Sequence, residues 1–262
     1  MSYRWLQLKF IWEYAGYLHL YDIPPLEIIY KFINVLDKKD IRSIYYKFSK
    51  TKTSQKVFET DIATLDKIKT GPFKEGTFGA EFKTFMNKEG AVDLFNFGKW
   101  GDKTEGKTNI KKFFKHSVLQ HDLIHFFNDY DMSPMGEVGV LSFNLAKEWR
   151  ESYATILYAS FLMSIRNTFL PSKYPRDLPW YIAIKYSALV VFCRVVVEGW
   201  RRGKRAPWFM DVDWNKYLDV DLQQVKKELQ LKEAPKYWLE VQPIWNRVMN
   251  NYTQENATIN RT

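Results

Sequence analysis

Apolar side chains recur every three or four residues along most of this 262-residue chain, which is the spacing of a helix with one buried face. Val, Ile and Thr nowhere alternate with polar residues over the length of a strand. The pattern therefore predicts an all-α protein, a single helical domain built from roughly eight to ten helices.

Proline, glycine and polar stretches divide this pattern into segments. The predicted organisation is a helical N-terminal layer over 1–70, a core over 71–235, and a last helix with a disordered tail over 236–262. Because no linker separates these parts, one domain is expected overall. Helices are expected on either side of Pro24-Pro25, twice within 37–70, over Ala80–Asn87, from Asn109 to about Asn128, over 137–169, over 177–201, over Leu222–Leu231 and over Tyr237–Met249.

The candidate chemistry lies in the middle of the chain, where three of the four histidines fall within ten residues. His121 and His125 are four residues apart, so a helix would place both imidazoles on one face. Asp122 precedes His125 by three residues and would lie at the edge of that face. The plain alternative is a helix whose histidines serve only its packing.

A further candidate ligand follows on the next predicted helix. Ser133 is a typical N-cap and Pro134 a typical first-turn residue, which places Glu137 in the first turns, facing back toward the preceding helix. Two imidazoles with one or two carboxylates suit a divalent cation such as zinc, iron or manganese. A metal site is therefore predicted between two adjacent antiparallel helices joined by a tight turn. Its predicted ligands and catalytic residues are His121, Asp122, His125 and Glu137.

The formal net charge of +9 favours an anionic partner, such as a lipid headgroup, a phosphate or a nucleic acid. Nucleic acid is not expected, because no helix-turn-helix, RNA-recognition or OB-fold motif accompanies the charge. The densest basic run has two interpretations, a solvated helix end or a site for a lipid phosphate or an anionic membrane surface. Its residues, the predicted cofactor-binding set, are Arg201, Arg202, Lys204 and Arg205.

Two further observations bear on location and redox chemistry. No stretch reaches about 18 uncharged apolar residues, and the N-terminus lacks the features of a secretory signal or a transit peptide. We therefore expect a cytoplasmic protein that lies against a membrane, on the inner face in a bacterium. The single Cys193 excludes an intramolecular disulfide. It lies in an apolar run and is expected to be buried and inert.

The string from His121 to His125, followed after eleven residues by Glu137, resembles the His-Asp-x-x-His-x11-Glu signature of the ubiquinone (coenzyme Q) biosynthesis protein four family. Three further stretches are similar to segments of that family and occur in the same order. They are Glu75-Gly76-Thr77-Phe78-Gly79, Met135-Gly136-Glu137-Val138 and Gly203-Lys204-Arg205-Ala206-Pro207. Each motif is weak by itself, whereas four in register indicate a distant, bacterial-type member.

The resemblance implies an all-α fold, peripheral membrane association and a polyprenyl lipid or quinone precursor bound in a groove beside the metal. It implies a role in ubiquinone assembly, both as an organiser of other quinone-biosynthesis proteins and as the catalyst of oxidative decarboxylation at C1 of a prenylated hydroxybenzoate ring. Zinc is the first choice of metal, with iron, manganese and magnesium as alternatives. A homodimer is a further option. Candidates for the groove are the apolar faces of 153–169 and 181–197, an ordinary helical core being the alternative.

Two other classes of function stay open. In the first, the protein is a non-catalytic lipid-binding scaffold, and the metal only braces two helices. In the second it is a zinc hydrolase, because His-Asp-x-x-His resembles the zincin motif His-Glu-x-x-His. The hydrolase is the weaker alternative, since no third histidine follows downstream of His125.

Overall fold

The structure is a computed structural model that describes residues 8–9, 11–12, 38–59, 64–88, 108–169, 187–231 and 236–245. The segment around Pro24-Pro25, residues 177–186 and the predicted disordered tail lie outside the described residues. The predictions for these segments stay predictions.

The described residues are mostly helical. In chain order the helices are α1 Lys38–Phe48, α2 Lys52–Glu59, α3 Thr64–Thr70, α4 Phe78–Lys88, α5 Thr108–Asn128, α6 Pro134–Leu145, α7 Glu151–Phe169, α8 Ala188–Arg205, α9 Leu222–Glu228 and α10 at 236–245. Two 3₁₀ helices, Phe209–Asp211 and Trp214–Tyr217, precede α9. No strand occurs in this part of the chain, which confirms the all-α prediction. None of the described helices is long and apolar enough to cross a bilayer.

The chain divides into two compact units. The first, called here the aromatic unit, comprises residues 41–132 and 202–234. The second, called the aliphatic unit, comprises 1–40, 133–201 and 235–262. The predicted boundaries at residues 70 and 235 stay a prediction.

The core of the aromatic unit is built from stacked and edge-on rings. Phe78 stacks on Phe127 with ring centroids 5.6 Å apart, and Phe127 stacks on Trp214 at 5.6 Å. A second cluster joins Phe48 and Phe113, whose centroids are 5.7 Å apart. Burying each such ring removes a large apolar area from water, and offset or edge-on ring pairs add a further contribution.

The glycine-rich turn before α4 has a structural role. The backbone N–H groups of Phe78 and Gly79 donate to the carbonyls of Val220 and Leu218, at 2.8 and 2.9 Å. A Cβ on Gly79 would lie 2.8 Å from the Leu218 oxygen, so only glycine allows this close approach. These N–H groups already bond to backbone carbonyls and are not directed at a ligand such as phosphate. The turn therefore joins the start of α4 to the segment that contains Leu218 and Val220.

In the aliphatic unit, α6, α7 and α8 supply most of the described core. Leu141, Leu145 and Ile156 belong to one buried cluster. Helix α8 approaches α6 closely at Gly199, where a Cβ would lie 2.5 Å from the carbonyl oxygen of Gly139. This approach constrains the backbone of α6 two residues beyond Glu137.

The prediction of one continuous helix over 137–169 is wrong, since α6 ends at Leu145 and α7 begins at Glu151. The connection contains a buried ion pair, in which Arg150 Nη2 lies 2.6 Å from Glu148 Oε1. Asp40 Oδ2 accepts the backbone N–H of Glu151 at 2.8 Å and so caps the start of α7. A cap supplied by a residue so distant in sequence leaves no signal next to the helix that it starts.

The prediction of a buried cysteine is also wrong, because Cys193 is exposed. On α8 the buried positions include Val191, Phe192 and Val195, and the 100° step per residue turns position 193 outward. A helix that carries an apolar run has an outer face as well as an inner one. The apolar neighbours of Cys193 in sequence therefore did not decide whether its own side chain is buried.

Candidate metal centre

Helix α5 places His121 and His125 on one face, as their spacing predicts. Their ring centroids are 5.0 Å apart and the rings meet edge to face. His125 is fully buried and His121 is half-buried. The predicted side-by-side arrangement of the two imidazoles is therefore confirmed.

Helix α6 begins as predicted, with Ser133 at the N-cap. The Ser133 side chain accepts the backbone N–H of Gly136 at 3.1 Å, and Pro134 occupies the first turn. Glu137 donates its backbone N–H to the Ser133 carbonyl at 2.9 Å and lies in that first turn. A carboxylate in the first turn is favourable there because the N-terminal end of a helix carries partial positive charge.

Three side chains meet closely enough to hold a metal ion. One ligand atom from each of His121, His125 and Glu137 lies within 4.8 Å of the other two. Two ligands of a tetrahedral zinc ion are separated by roughly 3.3 Å, as follows from ligand distances of about 2.0 Å. The upper limit of 4.8 Å is thus wider than the ligand spacing of a closed site. Two imidazoles and a carboxylate fit zinc and other divalent transition metals.

The fourth predicted ligand, Asp122, does not belong to this group of three. Its side chain is fully buried in the aromatic unit, one residue after His121. Its role as a ligand stays a prediction. A buried carboxylate next to ligating histidines is also typical of groups that orient the ligands from behind.

The tautomer of His125 follows from its hydrogen bond to the backbone. His125 Nδ1 lies 3.0 Å from the carbonyl oxygen of Tyr130. A carbonyl oxygen only accepts hydrogen bonds, so Nδ1 must carry the proton and donate it. The lone pair of the neutral ring is then on Nε2, which is the nitrogen that can bind a cation.

The third histidine of α5 has a different environment. His116 Nε2 donates to the Met210 carbonyl at 3.0 Å, and its ring stacks on Phe48 with centroids 5.3 Å apart. Burial away from water lowers the pKa of His116 from 6.5 to about 4, opposed in part by the bond to Met210. His116 is therefore a neutral packing residue near pH 7, outside the group of three.

The four residues of the predicted basic run differ in exposure. Arg201, Lys204 and Arg205 are exposed, whereas Arg202 is half-buried. Arg202 Nε donates to Asn128 Oδ1 at 2.6 Å, at the C-terminal end of α5. The structure thus pairs Arg202 with a polar side chain of α5, and the other three side chains are exposed on α8. The prediction that all four bind an anionic ligand stays a prediction.

Sequence reasoning did not identify Asp129 and Tyr130, which end α5 and hold His125. The expected helix end near Asn128 was correct, but the positive φ of 52° at Asp129 is rare for a residue with a side chain and was not predicted. An Asn-Asp pair at a helix end was the only local signal, because short polar residues tolerate this left-handed conformation.

Comparison with known proteins shows a similarity to a solved structure. No protein-family model matches the chain, and no curated protein sequence matches it significantly. A crystal structure from Nostoc punctiforme PCC 73102, of a protein provisionally named as a ubiquinone biosynthesis protein, is similar with a TM-score of 0.55 and 15% sequence identity. The match covers 87% of this chain and 98% of that chain. At this identity the likeness shows a shared fold.

Proposed function

We propose that the chain is a metal-binding protein of ubiquinone biosynthesis that holds a polyprenylated ring intermediate beside a divalent cation. The observation that carries the proposal is the group His121, His125 and Glu137, with ligand atoms within 4.8 Å of one another. The name of the structural neighbour supports the pathway, as do the four sequence stretches that resemble the ubiquinone protein four family.

The two imidazoles and the Glu137 carboxylate would hold the ion, with zinc as the first choice. When bound, such an ion supplies Lewis acidity to a carboxylate or phenolate oxygen of the ring. Asp122 would act behind the ligands as an orienting group or as a base, since it is buried next to His121 and outside the group of three. The proposed reaction is oxidative decarboxylation at C1 of a prenylated hydroxybenzoate. The bond from C1 to the carboxylate breaks with release of CO2, a C1–hydroxyl bond forms, and dioxygen takes up the two electrons, so that one water and one dioxygen are consumed and one hydrogen peroxide is released.

The polyprenyl chain is proposed to lie along the apolar faces of α7 and α8. Phe161 and Phe192 bring these helices together, with ring centroids 5.9 Å apart. Tyr158 and Leu162 on α7 and Val197 on α8 expose apolar surface. At about 0.8 kcal/mol per buried methylene, a few isoprene units would suffice for tight binding. Extraction of the purified protein followed by lipid mass spectrometry tests this; a lipid-free protein that ignores added polyprenyl compounds would contradict it.

An anionic membrane surface is the proposed partner of the basic run, through the exposed Arg201, Lys204 and Arg205. Each basic residue near such a surface contributes about 1 kcal/mol. Flotation with liposomes that contain or lack anionic lipid tests the contact. Arg202 is not part of the proposed contact, because its side chain bonds to Asn128. The other proposed partners are further quinone-biosynthesis proteins and a second copy of this chain.

The pathway is tested by profiling quinone intermediates in a strain from which the gene has been deleted. The strain is complemented with the wild type, with Glu137→Gln, or with Glu59→Gln as a control at an exposed residue. We expect Glu137→Gln to accumulate the carboxylated ring precursor, and Glu59→Gln to behave as the wild type.

Two other outcomes would overturn the catalytic proposal. Full complementation by a folded Glu137→Gln protein would favour the non-catalytic scaffold. Zinc-dependent cleavage of a peptide library by the purified protein, with no change in quinone intermediates on deletion, would favour the hydrolase.

A further inference from the structure

Helix α5 ends in a backbone motif whose last residue contacts His125 twice. The backbone N–H of Tyr130 donates to the carbonyl of His125 at 3.2 Å. The Tyr130 carbonyl in turn accepts Nδ1–H of the His125 ring at 3.0 Å. One peptide segment therefore binds both the backbone and the side chain of the same residue.

The geometry is that of a Schellman cap. Asn128 is the last helical residue, Asp129 follows in the left-handed conformation with φ 52°, and the next N–H returns to the carbonyl five residues earlier. The left-handed residue turns the chain back over the last turn of the helix. Without that turn the Tyr130 carbonyl would point along the helix axis, away from the His125 ring.

We propose that this cap, made by Asp129 and Tyr130, is the positioning device that fixes the tautomer and the ring orientation of His125. The cap holds the proton on Nδ1 and directs Nε2 to the cation. The proposal rests on the metal site of the proposed function but not on the pathway. Partners of this kind are worth roughly 10- to 100-fold in metal affinity.

The chain contains a matched control for the cap. Helix α9 ends in the same motif, with Gln230 at φ 52° and the N–H of Leu231 donating to the Lys226 carbonyl at 2.8 Å. The residue that corresponds to His125 is a lysine there, so this second cap carries no imidazole. The same substitution at Asp129 and Gln230 introduces the same backbone strain, with and without a histidine.

The first experiment measures the tautomer directly in the metal-free wild type, by long-range ¹H–¹⁵N correlation of the histidine rings. We expect His125 to carry its proton on Nδ1, and His116, which donates through Nε2, to show the opposite pattern. A proton on Nε2 of His125 would overturn the proposal, whether or not the protein binds a metal or acts on quinones.

The second experiment compares zinc affinity in Asp129→Val, Asp129→Gly and Gln230→Val. Valine disfavours the left-handed conformation and should open the cap, raising the zinc Kd by about 10- to 100-fold. Glycine adopts the conformation freely and should leave the Kd within about threefold of the wild type. Gln230→Val should lower Tm without changing the Kd.

Two results of the second experiment would count against the cap. One is a zinc Kd for Asp129→Val equal to that of Gln230→Val; the other is an equal loss of affinity in all three variants. If Asp129→Val does not fold, Asp129→Ala is the milder substitution, and the wild-type tautomer decides the question without any variant.

Discussion

The two halves of α5 hold their histidines through opposite ring nitrogens. In the first half, His116 donates from Nε2 to the Met210 carbonyl and stacks on Phe48. In the second half, His125 donates from Nδ1 to the Tyr130 carbonyl and stands beside His121. Both rings are buried, so burial does not separate the packing histidine from the candidate ligands.

The difference lies in the side chains that surround each ring. His125 belongs to a group with His121 and Glu137 that could hold a metal ion, whereas the His116 ring stacks on Phe48, a member of the buried cluster that also contains Phe113. The same residue type, on one helix, is thus a candidate metal ligand in one half and a core residue in the other. To tell a candidate ligand from a core histidine, the backbone carbonyl that fixes the tautomer of the ring is therefore more informative than the number of histidines nearby.

The largest expected effect is on metal content. His121→Ala/His125→Ala removes two of three candidate ligands, so zinc bound after equilibrium dialysis should fall from about one ion per chain to almost none. His116→Gln should retain the ion, because its ring is outside the group. Elemental analysis of the purified proteins measures both. Equal metal content in the double variant and the wild type would remove the distinction between the two halves of α5.

A large effect on stability is expected in the first half of the helix. His116→Ala leaves a cavity beside Phe48 and deprives the Met210 carbonyl of its donor, which together should lower the free energy of unfolding by about 3–5 kcal/mol. His116→Gln can still reach the carbonyl with its amide and should lose less. Urea unfolding of the metal-free proteins measures the difference. If His116→Ala lost metal binding and kept its stability, His116 would be a metal ligand and not a core residue.

The next prediction concerns the pH dependence of stability. The pKa of His116 is lowered to about 4 in the folded protein, against about 6.5 in the unfolded chain. Between these values the unfolded chain binds the proton and the folded protein does not. Stability should therefore fall as the pH drops from 6.5 to 4, by about 3 kcal/mol in total, and level off below that.

The difference between the wild type and His116→Gln isolates the contribution of His116 to the pH dependence of the free energy of unfolding. The free energy of unfolding, followed in urea on metal-free protein at several pH values, should decrease more steeply with acidity in the wild type. Parallel curves for the two proteins would show that His116 titrates equally in both states, and that its burial is less complete than the structure indicates.

The smallest effect is expected at the C-terminal end of α5. Arg202→Ala removes the donor to the buried Asn128, which should cost about 1–2 kcal/mol. Arg201→Ala changes an exposed neighbour on α8 and should stay within about 0.5 kcal/mol of the wild type. Thermal unfolding of both variants checks the pair. A larger loss of stability in Arg201→Ala than in Arg202→Ala would contradict the difference in packing between the two arginines.

Much of the candidate centre was predictable because its signals are local. The four-residue spacing placed His121 and His125 side by side, and Ser133-Pro134 marked the start of the helix that carries Glu137. Asp122 was grouped with them because spacing alone does not tell a direct ligand from a neighbour behind it. The cap at Asp129 was missed, because its conformation depends on how the helix ends and not on apolar periodicity.

The sequence by itself determined the helical class and the face that carries the candidate ligands, since both depend on residues within one or two turns of each other. Only the tertiary structure decided which histidine is a core residue, because the carbonyl that holds His116 comes from a residue 94 positions away. It likewise decided where α7 begins, through Asp40, and that Cys193 faces outward. Local periodicity specifies which side of a helix is apolar, but the residues that pack against that side come from distant parts of the chain and are decided only in the tertiary structure.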